Sequence, residues 1–143
     1  MADVTPTDAF LGSKAVLTFG SNTYHGITNY SWSGSVQQQV IRFSTSSGTG
    51  IVRLGGSDTD AEDDLTLDMV IAPGDYSTIA ALKRGTTSAT CEFHPEADSA
   101  GNIEFTFEAG LITNSSFAGS IDSGGVLSIT IACNGTLTVQ AAT

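Results

Sequence analysis

The chain has 143 residues, with 15 acidic against 5 basic ones and a formal net charge of −10. That length fits one domain spanning 1–143, and a surface so negative repels phosphate, which argues against specific nucleic-acid binding and against attraction to an anionic membrane. Only 14% of residues are charged, while 17 Ser and 19 Thr crowd the sequence; Thr suits the pleat of a strand and Ser and Gly suit turns, so the composition points to a mainly β protein.

In chain order, residues 1–13 are polar without periodicity and read as an N-terminal arm, lacking the basic and apolar regions of a secretory leader. No apolar run reaches the length of a membrane helix. Residues 15–19 and 24–28, separated by Gly20-Ser21-Asn22, predict a hairpin. Over 36–43, Val36, Gln38, Val40 and Arg42 alternate with Gln37, Gln39, Ile41 and Phe43. Neither face is cleanly apolar, as expected of a strand that meets a partner instead of a core. From 44 to 64 the sequence is almost all Ser, Thr, Gly and Asp, broken by Ile51-Val52-Arg53-Leu54. This is more than a connector needs, so 44–64 is expected to be a long polar β-hairpin arm or loop acting outside the domain.

After a strand at 65–71, a short flanking helix is predicted over about 75–84. Asp75 can cap its N-terminus, Tyr76, Ile79, Ala80 and Leu82 share a face, Lys83-Arg84 suit its C-terminal end and Gly85 can close it. Strands are predicted at 89–94 and 103–109. In the first, Ala89, Cys91 and Phe93 alternate with Glu92 and His94; in the second, Ile103, Phe105 and Phe107 alternate with Glu104, Thr106 and Glu108. Strands around 111–117 and 126–133 follow, and Asn134-Gly135 signals a hairpin into 137–139. Cys91 and Cys133 are expected to be buried thiols.

Catalytic chemistry is hard to find. No Ser or Cys occupies a nucleophile elbow and no glycine-rich phosphate loop is present, so no enzymatic activity, catalytic residue or cofactor is expected. Glu92 and His94 share a strand face and make at most half a metal site, expected to be a solvated surface pair. Asp58-Thr59-Asp60-Ala61-Glu62-Asp63-Asp64 begins like a calcium loop, but Asp63 stands where Gly is required and Met69 where Glu is required, so a solvated acidic loop and no metal are expected.

The order of elements carries a resemblance. Asp63-Asp64-Leu65-Thr66-Leu67 leads through Pro73-Gly74-Asp75 into the helix and the 89–95 strand. Then come Asn102-Ile103-Glu104-Phe105-Thr106-Phe107-Glu108-Ala109-Gly110 and a final pair containing Asn134-Gly135. Over about residues 14–140 this resembles the major tail tube proteins of siphophages, within the phage tail tube and type VI secretion tube family. The resemblance implies a β-sandwich or barrel with one flanking helix, six copies forming a ring, and rings stacking into a tube that conducts genomic DNA during ejection without binding it specifically. It implies a virion tail protein assembled in the host cytoplasm, with the tape measure protein, the tail terminator and distal tail or baseplate proteins as partners and no membrane. It further implies that 36–43, the 44–64 loop and the N-terminal arm reach the neighbouring ring, with Gln37, Gln39, Arg42, Ile51, Arg53, Asp58 and Asp60 at the ring-to-ring contact. The outward alternation of Glu92, Glu104 and Glu108 makes them the lumen-facing candidates.

Two other readings are open. One is a related ring protein, such as a tail terminator or a secretion-system tube subunit. The other is a carbohydrate-binding or adhesin-type β-sandwich, for which Trp32, Tyr24 and Tyr30 would supply exposed aromatics.

Overall fold

A computed structural model describes residues 14–36, 38–55, 61–96, 100–120 and 124–143; the expected N-terminal arm lies outside them. Among the described residues twelve strands and one helix follow one another as β1 (Val16–Phe19), β2 (Asn22–Tyr24), β3 (Ile27–Val36), β4 (Gln38–Thr45), β5 (Gly48–Gly55), β6 (Ala61–Ile71), α1 (Tyr76–Ala81), β7 (Thr87–Ser88), β8 (Cys91–His94), β9 (Ile103–Phe107), β10 (Ala109–Ser120), β11 (Gly124–Asn134) and β12 (Thr138–Ala141). The mainly β architecture expected from composition is what forms.

Two five-stranded sheets make a sandwich. The first runs β12-β9-β8-β1-β2 and the second β3-β6-β11-β10-β7. Alternation decides their faces. Leu65, Leu67 and Met69 of β6 and Leu127, Ile129 and Ile131 of β11 point inward with Leu17, Phe93 and Phe107 of the first sheet. Aromatic rings bridge the layers: Tyr30 lies 5.1 Å from Phe93 and Trp32 5.8 Å from Phe105, centroid to centroid, within the range of favourable edge or tilted contacts. Cys91 and Cys133 are buried free thiols, as expected. The Cys91 thiol, hydrogen-bonded to Cys133, and burial together push the Cys133 thiol far above its ordinary value.

Helix α1 is shorter than predicted. Asp75 caps it: its carboxylate accepts from the Thr78 amide at 3.3 Å, the Ser77 hydroxyl at 3.0 Å and the Thr78 hydroxyl at 2.7 Å. Those bonds, the Thr78 hydroxyl foremost, hold the Asp75 carboxyl below its ordinary 3.8. The helix ends at Ala81, so Lys83 and Arg84 fall beyond its last turn. Leu82 is buried and Gly85 turns the chain with φ +89°, its amide donating to the Ile112 carbonyl at 2.7 Å. Packing of Ile79, Ala81 and Leu82 on the core fixes so short a helix.

Two expectations about topology are corrected. Asn134-Gly135 is not a hairpin turn: β11 lies in the second sheet, and β12 pairs with β9 in the first. Gly135, at φ +79°, carries the chain from one sheet to the other, and a side chain there would collide with Glu108. The projecting arm also begins earlier than position 44. β4 and β5 pair only with each other, Gln38 opposite Gly55 through Thr45 opposite Gly48. Residues 61–64, expected in the loop, belong to β6.

Candidate assembly surface

Three surfaces bear on function, and the hairpin is the first. β4 and β5 leave the end of the second sheet where Val36 faces Ala61. Register and alternation give the hairpin two unlike faces. One presents Ile41, Phe43, Val52 and Leu54, each between 41% and 47% exposed, with the Phe43 ring lying where a Cβ on Gly50 would be. The other presents Val40 and Ile51 with Arg42 and Arg53. Residues 38–55 contain two of the three arginines and no acid, a charge of +2, while the rest of the chain holds all 15 acidic and 3 basic residues, or −12. Arg42, Ile51 and Arg53, expected at a ring contact, therefore stand exposed on one face. Gln37, Asp58 and Asp60 lie outside the described residues; Gln39 lies in β4.

The second surface is the outer face of the β3-β6-β11-β10 strands. Glu62, Asp64, Thr66 and Asp68 alternate outward from the buried Asp63, Leu65, Leu67 and Met69 of β6. Across the ladders they meet Ser35, Ser33, Ser31 and Asn29 of β3, while Thr66 and Asp68 also meet Thr130 and Ser128 of β11. None of these four strands contains Lys, Arg or His, so the face is free of cations: it is hydroxylic and acidic around Glu62 to Asp68 and turns apolar at Val70, which lies opposite Val126. Asp63 corrects the reading of 58–64 as a wholly solvated acidic run. It points inward, 4% exposed, and accepts a 3.1 Å hydrogen bond from the Trp32 indole. Sequence reasoning missed Glu62, Asp64 and Asp68 as one face because those residues were assigned to a loop and its neighbouring strand separately; the period-two alternation over 61–71 was the signal.

This sheet also has open edges. Among the described residues β3 is bonded on one side only, and β7 with the turn before it covers β10 at Gly110, Leu111 and Ile112, the Ile112 amide donating to the Thr86 carbonyl at 2.9 Å and its carbonyl accepting from the Gly85 amide. Beyond that point β10 continues to Ser120 with no neighbour on its outer side among the described residues.

The third surface lies on the first sheet, where Glu92, His94 and Glu104 come together. Their ligand atoms all lie within 4.8 Å of one another. His94 is 2% exposed, so Glu92 and His94 do not form the solvated pair expected from strand alternation. Glu108 follows β9, exposed and apart from that group.

The aromatics proposed for a carbohydrate platform are otherwise engaged. Tyr24 is buried in the core. Tyr30 packs on Phe93, and burial with the Glu96 carboxylate pushes its phenol up. Trp32 packs on Phe105 and donates to Asp63, and stays 44% exposed.

No protein-family model and no curated protein matches the sequence. Solved structures do match in shape. The tube-terminating cap of an anti-feeding prophage aligns with a TM-score of 0.60 at 17% identity, covering 99% of this chain and 97% of the other. The tail of a gene transfer agent particle, refined helically with C6 symmetry, aligns at 0.64 and 14%, covering 93% and 100%. The sheath/tube terminator of an extracellular contractile injection system in its extended state aligns at 0.63 and 14%, covering 98% and 100%. With similarity in shape along almost the whole of each chain, the protein has the fold found in the tail tubes and tube terminators of phage-like particles.

Proposed function

We propose that the protein is a structural subunit of a phage-type tail, forming hexameric rings that stack into a tube through which DNA passes during ejection. The observation that carries this reading is the open second sheet. The free edge of β3 and the uncovered length of β10 are unsatisfied pairing surfaces of opposite ends of one sheet. Joined copy to copy around an axis they close a barrel and leave no edge. Sixfold closure is carried over from the C6 gene transfer agent tail.

In such a ring the outer face of β3-β6-β11-β10 becomes the lumen wall. Its Glu62, Asp64 and Asp68 carboxylates repel passing phosphate, and the face offers it no cation to rest on. This face suits a lumen better than Glu92 and Glu104, which converge on a buried histidine instead of facing open solvent. Strands of 10–12 residues at about 3.3 Å each give a wall roughly 33–40 Å tall per ring. The hairpin leaves one end of that wall, and so extends along the tube axis toward the next ring. Its apolar face would be buried there, and its arginines would meet an acidic neighbour.

Electron microscopy of the purified chain across concentrations, with and without tail partners, tests this. Rings of six and stacked tubes are expected; monomers under every condition would overturn it. A second reading, favoured by the shape match to a tube-terminating cap and a sheath/tube terminator, is a single terminal ring. Single rings that never stack, but cap the ends of tubes made by another subunit, would select it.

A further inference from the structure

The tube reading leaves one cluster of side chains unused, on the outer face of the first sheet. Glu92 and His94 stand two apart on β8, which places them on one face. β9 runs antiparallel beside them, with Glu92 opposite Thr106 and Phe93 opposite Phe105, so Glu104 falls next to His94. His94 Nε2 is 3.6 Å from Glu92 Oε2. Around this group the protein is already arranged. Gln140 Nε2 on β12 donates to Glu104 Oε2 at 3.3 Å, which orients that carboxylate. The Thr106 hydroxyl, opposite Glu92, is buried with no hydrogen-bond partner among the described residues. The imidazole is shielded, while the Glu92 side chain is 34% exposed and leaves a way in.

We propose that Glu92, His94 and Glu104 bind a first-row divalent cation of the Zn2+ class. One imidazole nitrogen and two carboxylates suit Zn2+, Co2+ or Mn2+, whereas Ca2+ and Mg2+ select oxygen donors alone. Bonds of about 2.0–2.2 Å hold donors roughly 3–4 Å apart around such an ion. The observed spread of up to 4.8 Å closes by rotation of the two flexible glutamates. The ion would offset two carboxylates drawn together on a partly buried face of an already acidic chain. Water or the Thr106 hydroxyl would take the remaining coordination position. The ion would tie β8 to β9, acting as a staple within the subunit and not as part of the ring contact.

The test uses the full chain, stripped with EDTA, desalted and titrated calorimetrically with ZnCl2, with CoCl2 in parallel for its visible spectrum. One metal per chain is expected, with Co2+ absorption in the visible range and a rise in Tm of about 5–10 °C at saturating metal. Glu92→Gln and Glu104→Gln keep side-chain shape, and their fold is checked by circular dichroism; each is expected to weaken binding about tenfold or more. Glu108→Gln, outside the cluster, is expected to bind as the parent does. His94 is buried, so the two glutamine variants carry the test. No retained metal, equal binding by the parent and both glutamine variants, or Ca2+ binding as tight as Zn2+ would each overturn the proposal.

Discussion

The hairpin and the sandwich are built from the same β-compatible residues but satisfy them in opposite ways. In the sandwich, Leu65, Leu67 and Met69 alternate with Glu62, Asp64, Thr66 and Asp68, so one face is dry and the other wet. In the hairpin both faces are exposed, and four apolar side chains on one of them find no cover among the described residues. A lone two-stranded hairpin is at best marginally stable in water. The sandwich therefore holds its own core and leaves only sheet edges open, whereas the hairpin leaves whole apolar faces uncovered among the described residues.

This contrast can be broken or sharpened by substitution. The largest expected effect follows from replacing 38–55 with a short Gly-Ser connector: tube formation is lost by electron microscopy while the sandwich keeps its thermal transition. Loss of the folded circular-dichroism signal would show instead that the sandwich depends on the arm. Next, Leu67→Ala, at a fully buried position, is expected to cost about 2–5 kcal/mol in denaturant unfolding, and a value near zero would mean the core is not packed as described. Ile41→Lys in the hairpin should leave monomer stability within about 0.5 kcal/mol yet lower assembly measured by sedimentation, and unchanged assembly would remove Ile41 from the contact.

Two smaller effects concern protons. Cys133 has a raised folded pKa, so its contribution to stability is full below the ordinary thiol value of 9.0 and is lost as pH climbs past it toward the folded value. Wild type should lose stability in that alkaline window relative to Cys133→Ala, a difference visible in urea midpoints. Asp75 has the opposite sign. Its folded pKa is depressed, so its contribution is present above 3.8 and fades as pH falls through the lower folded value. Asp75→Asn should narrow the gap in Tm between neutral and acid pH slightly, and an identical pH profile would dismiss the cap.

The local chemistry was legible in the sequence and the long-range pairing was not. Asp75 as a cap and the buried thiols follow from patterns spanning a few residues. The crossing at Gly135 did not, because Asn-Gly reports only that the chain must turn, and not which sheet receives it. The arm's start was misread for a related reason: Ser and Thr serve a strand as well as a loop, so the polar run hid β5 and the beginning of β6. The cluster on the first sheet was half visible, Glu92 and His94 through their spacing. Its third member depends on the β8–β9 register, which no local pattern specifies.

The interleaving of the first sheet has a consequence for synthesis. β1 pairs with β8, and β9 pairs with β12 at the far end of the chain, so that sheet closes only after the last strand leaves the ribosome. The β4–β5 hairpin, closed by neighbouring residues, can form far sooner. Its sticky apolar face is therefore on display throughout translation, before the body that carries it exists. Nascent chains crowded on one message would meet arm to arm. The hydroxyl-bearing tip, Thr45, Ser46, Ser47 and Thr49, and the two arginines on one face of the hairpin are the features that would oppose such encounters.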